Sequence, residues 1–384
     1  MTLPSRLRAA AAIAAAALAV VGCTADDASA PTSSPSASTP TAAQATSATV
    51  DLPDGLSALQ VWRLPKDVHP NPNGVHSSSR HAFFGLDIPS LREGGTLDPD
   101  QHTQYAVLDF ASGAVTLRET TKPGAISDLG VFVTAGESDH LVRLEIEPRP
   151  DTECAGDSPD QCWTWQLRAE TAADASGDQI AAAAQPGSPF AIPQPVATGT
   201  GVAWLEVTDP AADEARLQLW SPGAKPRTIA SKLPTGRLTV EGEAVWVTPD
   251  DPNRAETIRV ALKGGAVTRT ALPRHSQMAV PTGSDVAYVR DSESASSAKV
   301  MAAPINDPER GRSLLTAPSV YQLISAGSGT VIASTEKGYQ LLGKVSAPLP
   351  VDTLTGIQRD EDRLNLLTGP SDAPDTIVVA TLAP

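Results

Sequence analysis

Long apolar runs are missing from all but the start of this chain. After Val21 no stretch approaches the roughly 20 apolar residues that a membrane-crossing helix needs, which excludes a multi-span helical membrane protein. Cysteine is nearly absent, with three in 384 residues. That excludes a disulfide-rich scaffold, and the spacings include neither a zinc pattern nor a redox C-x-x-C. Basic residues are also short, 29 against 44 acidic ones, for a net charge of −15. Such a chain does not suit nucleic acid or anionic lipid as its main partner. There is no G-x-S-x-G, no Gly-rich phosphate loop before a helix, and no carboxylate pair that stands out from the general acidity. No catalytic, cofactor-binding or metal-ligating residue is therefore assigned, although a site assembled from distant segments would leave no local motif.

The one apolar run carries information of its own. Arg6 and Arg8 precede Ala9 to Val21, thirteen residues without a charge, which is the length of an export-signal core and not of a membrane span. The run ends in Val20-Val21-Gly22-Cys23. This resembles the lipobox of bacterial lipoproteins, with a branched apolar residue three before the Cys and a small residue one before it. The resemblance implies cleavage after Gly22, diacylglycerol on the Cys23 thiol, and a protein anchored on the outer side of the cytoplasmic membrane without spanning it. Two acyl chains hold where one is marginal. Loss of Arg6 and Arg8 takes the net charge to about −17. The acids look scattered through loops, as solubility alone would require.

Two cysteines then remain, Cys154 and Cys162, around the turn-rich Ala155-Gly156-Asp157-Ser158-Pro159-Asp160-Gln161. In an oxidising compartment they are expected to form a structural disulfide, adding roughly 2–3 kcal/mol by loop-closure entropy. Residues 23–50 are almost wholly Ala, Ser, Thr and Pro with few acids. Such a tract cannot bury a core, so it is expected to be a disordered tether reaching roughly 30–80 Å. The division is thus signal peptide 1–22, tether 23–50 and folded domain 51–384.

The folded part repeats. Val202-Ala203-Trp204-Leu205, Ala244-Val245-Trp246-Val247 and Val286-Ala287-Tyr288-Val289 are near copies whose aromatics lie 42 residues apart. After each copy come a polar loop, a strand such as Arg216–Trp220, a Gly turn, and another strand such as Arg227–Ala230. A period in the forties with several strands per unit marks a β-propeller blade. Weaker copies at Phe84, Phe132, Ala333 and Leu366 bring the markers to seven, so an all-β, seven-bladed propeller is expected. The gap of 72 residues from Phe132 to Trp204 leaves eight blades as a second choice, and tandem β-sandwiches are the alternative architecture. The stretch Tyr105–Leu117 resembles the strand–turn–strand hairpin of YncE-like and quinoprotein-like propellers, with Asp109 and Gly113 shaping the turn. The full form occurs once and implies an architecture, not an activity. Leu59–Leu64 is expected to join the last strands, 364–368 and 376–382, and close the ring.

Other clusters read as ordinary structure. His69, His76, His81 and His102 fall within 34 residues but lack metal spacing, and are taken as solvated loop residues. Asp250-Asp251-Pro252-Asn253 and Asp360-Glu361-Asp362 lack the order of a calcium loop and are taken as acidic turns. Trp204 and Trp246 are taken as blade packing; Trp163 and Trp165 neighbour the cysteine loop. The expected function is that of a monomeric, membrane-anchored binding or scaffold module for envelope proteins, with no cofactor. The alternatives are an extracytoplasmic lactonase- or glycosidase-like enzyme, or a carbohydrate or small-ligand binder.

Overall fold

β-Branched and aromatic residues alternating with small ones make the repeated cores strand-forming, and the Gly, Asp and Ser clusters between them turn the chain back. The computed structural model describes residues 42–383 apart from 87–97, 137, 150–161, 172–174, 176, 185–190, 210–211, 252, 292–296, 345, 350–353 and 371–373. It opens with β1 (Ala42–Gln44), β2 (Thr46–Ser47) and β3 (Leu56–Arg63). Then come seven units built on four-strand antiparallel meanders. The first holds β4 (Pro70–Ser77), β5 (His81–Leu86), β6 (Gln104–Asp109) and β7 (Ala114–Glu119); the second β8 (Ile126–Ala135), β9 (Ser138–Arg149), β10 (Cys162–Thr171) and β11 (Asp178–Ala182). The third holds β12 (Val196–Thr198), β13 (Gly201–Asp209), β14 (Glu214–Trp220) and β15 (Arg227–Leu233). The fourth holds β16 (Gly236–Glu241), β17 (Ala244–Pro249), β18 (Glu256–Ala261) and β19 (Val267–Ala271); the fifth β20 (Ser276–Thr282), β21 (Asp285–Asp291), β22 (Ala298–Pro304) and β23 (Arg312–Ala317). The sixth holds β24 (Val320–Gly327), β25 (Thr330–Thr335), β26 (Gly338–Gly343) and β27 (Ala347–Pro348); the seventh has β28 (Leu354–Asp360), β29 (Arg363–Thr368) and β30 (Thr376–Leu382).

The first strands of the units, β4, β8, β12, β16, β20, β24 and β28, neighbour one another in that order, and β28 returns to β4. This is a closed ring of seven blades around a central channel, a β-propeller. Blade 7 takes its fourth strand from the other end of the chain, because β3 pairs antiparallel with β30 from Leu56↔Leu382 to Arg63↔Thr376. The sequence segment expected to close the ring does so. Closure leaves no interface-sized edge inside the ring.

The core lies between blades. Ala203, Leu205 and Leu217 of blade 3 pack on Val245, Val247 and Ile258 of blade 4, and comparable layers join blades 2 and 3, 5 and 6, 6 and 7, and 7 and 1. Each fully buried Leu, Val or Ile contributes about 1.5–3 kcal/mol relative to exposure. Trp204, Trp246 and Tyr288 occupy equivalent second strands and are buried.

Two expectations need correction. Phe132 is in β8, the innermost strand of blade 2, whereas the other six markers lie in second strands. The true second strand of that blade is β9, where charges at Arg143, Glu145 and Glu147 interrupt the apolar signal. The excess spacing before Trp204 comes from the long β9 and β10 and from the connections after β9 and β11, not from an eighth sheet among the described residues. Described strands also begin before residue 51, inside the stretch expected to be a tether. Residues 42–44 pair with β7 and 46–47 with β3, because small Ala and Thr residues fit flat against two open outer edges.

Candidate functional site

The two faces of the ring differ. On one face the first and second strands of each blade are joined by hairpins of two residues in six blades and three in blade 1. Gly242 and Gly283 supply the positive φ that such turns require. On the opposite face the second-to-third connections run to 12 residues in blade 2 and 17 in blade 1.

At the hairpin face the channel is crossed by one side chain. Arg359, near the end of β28, places Nη1 3.0 Å from Glu241 Oε2 at the end of β16. Blades 7 and 4 stand three places apart in a ring of seven, the largest separation available. The same nitrogen donates to Ser325 Oγ of blade 6 at 2.7 Å, and Nε donates to the Glu361 carbonyl at 2.6 Å. Three blades are thus tied at the channel end by one guanidinium whose planar fork suits several acceptors at once.

Two of the four histidines, His76 and His81, lie around that end in strands and are not solvated loop residues, whereas His69 and His102 are exposed in connections as expected. His76 ends β4, and its Nδ1 lies 3.0 Å from Asp360 Oδ1 of blade 7. The second Asp360 oxygen accepts from the Ser77 amide at 2.9 Å and from Asn365 Nδ2 at 2.6 Å. His81 begins β5 and lies 2.8 Å from Asp139 of blade 2, which also accepts from Ser78, Arg80 and Thr134. Burial works to raise the Asp139 pKa, but the hydrogen bonds from His81, Ser78, Arg80 and Thr134 prevail and hold it well below the carboxylate range. These pairs join blades 7 and 1 and blades 1 and 2. Their partners are far apart in sequence, so composition and local spacing carried no sign of them.

The blade 1–2 interface is charged throughout its middle. Glu170 accepts from Arg118 Nη1 at 2.8 Å, from Arg143 Nε at 3.2 Å and from the Tyr105 hydroxyl at 2.9 Å. Glu145 accepts from Arg143, Gln166 and Thr121. Arg143 also lies over the Tyr105 ring, 4.6 Å from its centroid, and is wholly buried. Burial drives the Tyr105 phenol pKa well up, against the Arg143 charge and with that of Glu170. For Glu145, burial pushes upward, but Arg143 and the Thr121 hydrogen bonds pull its pKa down overall. The network holds blades together, and all of its charged members are buried.

The other end of the channel is built differently. Five inner strands are bulged in their first half: between Pro70 and Val75, Ile126 and Leu129, Gln277 and Val280, Val320 and Gln322, and Leu354 and Gly356. A bulge interrupts the ladder and re-aims side chains. Tyr321 is the extra residue in β24 and remains 46% exposed, and Met278 in β20 takes a φ of 54°. Among the described residues, the second-to-third connections on this face carry seven acidic residues, Asp98, Asp100, Asp213, Asp250, Asp251, Glu336 and Asp375, against two basic ones, Arg254 and Lys337. The acids are therefore not evenly scattered. This bulged, acid-collared mouth is the candidate functional surface.

The acidic turns singled out in the sequence are internally satisfied. Asp251 accepts from the Asn253 amide and side chain, and Asp213 accepts from Arg254 and the Thr235 amide, linking blades 3 and 4. Glu361 and Asp362 pair with Arg363. Among the described residues no three His, Cys, Asp or Glu side chains are placed to share a metal ion. Cys23 and Cys154 lie outside the described residues. Cys162 is described only as the first residue of β10, opposite Arg149. Among the described residues no helix is long and apolar enough to cross a membrane.

No family model matches the sequence, and no curated protein matches it. Solved structures match in fold. A chain of the mitotic checkpoint complex is 9% identical with a TM-score of 0.46, covering 95% of this chain and 99% of its own. The propeller domain of the Trilobed protease from Pyrococcus furiosus is 8% identical with a TM-score of 0.47, covering 81% and 95%. The WD40 propeller domain of Doa1 is 7% identical with a TM-score of 0.43, covering 85% and 97%. The strand pairing and the closed order of inner strands are what make the chain a seven-bladed β-propeller.

Proposed function

We propose that this protein is an extracytoplasmic lipoprotein, anchored through Cys23, whose propeller binds envelope proteins through its long-loop face and catalyses nothing. The observation that carries the reading is the difference between the two channel ends. One is bridged by the Arg359–Glu241 ion pair among short hairpins, while at the other the inner strands are bulged and the described connections carry seven acidic residues against two basic ones. Loops from several blades converge there on a rigid frame, which suits a composite protein-binding surface with no local motif. The acid-rich collar favours a partner with a basic surface and speeds its encounter. A tether of 23–41 ahead of β1 would raise the effective concentration of the ring near other envelope proteins.

Fold does not set function, and the same bulged mouth is where a small-ligand or enzymatic site would sit. The test is crosslinking in intact cells with wild type and a Cys23→Ala variant, alongside ester, lactone and glycoside panels on the purified protein. Partner enrichment that depends on Cys23, with no turnover, supports the proposal. Turnover abolished by substitutions at the mouth, with no partner enriched, supports the enzyme.

A further inference from the structure

The chain ahead of the closing strand is stitched across the rim before it enters the ring. β1 adds to the outer edge of blade 1, with Ala42↔Thr116 to Gln44↔Ala114 in register. Ala45 then crosses to blade 7, where Thr46↔Arg63 and Ser47↔Trp62 pair on the outer edge of β3. Both blades thereby become five-stranded, and among the described residues no other blade does. The crossing is fitted closely. Ala45 is buried, and its amide donates to the Gly113 carbonyl at 2.9 Å. Gln44 Nε2 donates to the Ser112 carbonyl at 2.7 Å, and the Ala48 amide donates to the Val61 carbonyl at 3.1 Å. Beneath the crossing, the Trp62 ring of blade 7 stacks on Phe110 of blade 1, centroids 6.5 Å apart. Gly113 leaves the room for it: a Cβ there would sit 2.7 Å from Trp62 and 2.9 Å from the Ala45 carbonyl.

The strand so held is β3, and its pairing with β30 is the one place where the two ends of the chain meet to close the ring. Without β1 and β2, β3 would be an N-terminal strand fixed to the ring covalently only through residues 64–69, free to fray from its first residue. With them it is fixed on both sides. We propose that residues 42–48 are a clasp that locks the closing strand of the propeller. Where the segment ahead of Ala42 is a tether, as proposed above, a pull on it reaches blade 1 first and β3 only after the clasp lets go. The clasp itself does not depend on that reading.

Hydrogen exchange on the full-length protein tests it. The double variant Ala45→Pro/Ala48→Pro removes the two amide donors that flank β2. The expected result is about tenfold faster exchange of β3 and β30 amides, with blades 3–5 unchanged. If β3 and β30 keep their wild-type rates while only residues 42–48 accelerate, the clasp is ornamental and the proposal is wrong. Acceleration spread evenly over all blades contradicts it equally, since that is general destabilisation. If the double variant does not fold, Gln44→Ala removes the side-chain hydrogen bonds to the Ser112 and Ala45 carbonyls and leaves the backbone donors in place. It is then expected to accelerate the same two strands about threefold, and unchanged rates there overturn the proposal.

Discussion

The guanidinium of Arg359 spans the propeller channel to Glu241, 3.0 Å away and 118 residues earlier in the chain. Both side chains are mostly buried, and Ser325 and the Glu361 carbonyl share the same cation. Arg359→Ala is expected to lower stability by about 1–3 kcal/mol, since it strands a partly desolvated carboxylate. Glu241→Gln keeps an acceptor and should cost less. Urea unfolding of the two variants and wild type checks the order.

A second expectation concerns the charged interface of blades 1 and 2. Glu170 is 2% exposed and satisfies Arg118, Arg143 and Tyr105 together. Glu170→Ala is expected to cost about 3–5 kcal/mol by leaving buried guanidinium charge uncompensated. A denaturant midpoint within error of wild type would show that the network contributes nothing.

The pH dependence follows from three acids that accept hydrogen bonds in the folded state. Asp139, Glu145 and Asp109 are all held below their ordinary values, so they bind protons more weakly folded than unfolded. Their contribution is present above the unfolded carboxylate range, around pH 4, and is lost as pH falls below it. Thermal unfolding should therefore be flat in this respect near neutrality and decline on acidification. Asp139→Asn should be less stable at neutral pH and show a shallower decline.

Gly113 offers a conformational test. Its φ is +73°, and a side chain would meet Trp62 and the Ala45 carbonyl. Gly113→Val is expected to destabilise by about 1–3 kcal/mol, from backbone strain with the added clash, measured by calorimetry.

The copies around Trp204, Trp246 and Tyr288 were legible because second strands are buried on both faces and keep an unbroken apolar run. The closing strand was legible through its β-forming Val61 and Trp62, although most of it is only partly buried. Inner strands were not. β12 is three residues long, and every residue of β16 is only partly buried, so neither repeats an apolar pattern. A usable signal did precede several of them: Leu64-Pro65, Leu233-Pro234 and Leu272-Pro273 end one blade just before the next begins. Pro stops the outer strand and Leu packs under the turn. His76 and His81 were misjudged because their Pro-, Asn- and Ser-rich surroundings suggest a loop, while their partners Asp360 and Asp139 arrive from other blades. The acid-collared mouth was invisible for a related reason: its acids lie in separate connections, and only closure of the ring brings those to one face.

Photo-crosslinking by face tests the central claim most directly. A photoreactive residue replaces Asp251 or Asp98 on the long-loop face, or Glu243 in a hairpin of the opposite face, and the cells are irradiated intact. The account expects the same envelope proteins to be captured from Asp251 and Asp98 but not from Glu243. Equal capture from both faces, or none from either, would contradict it.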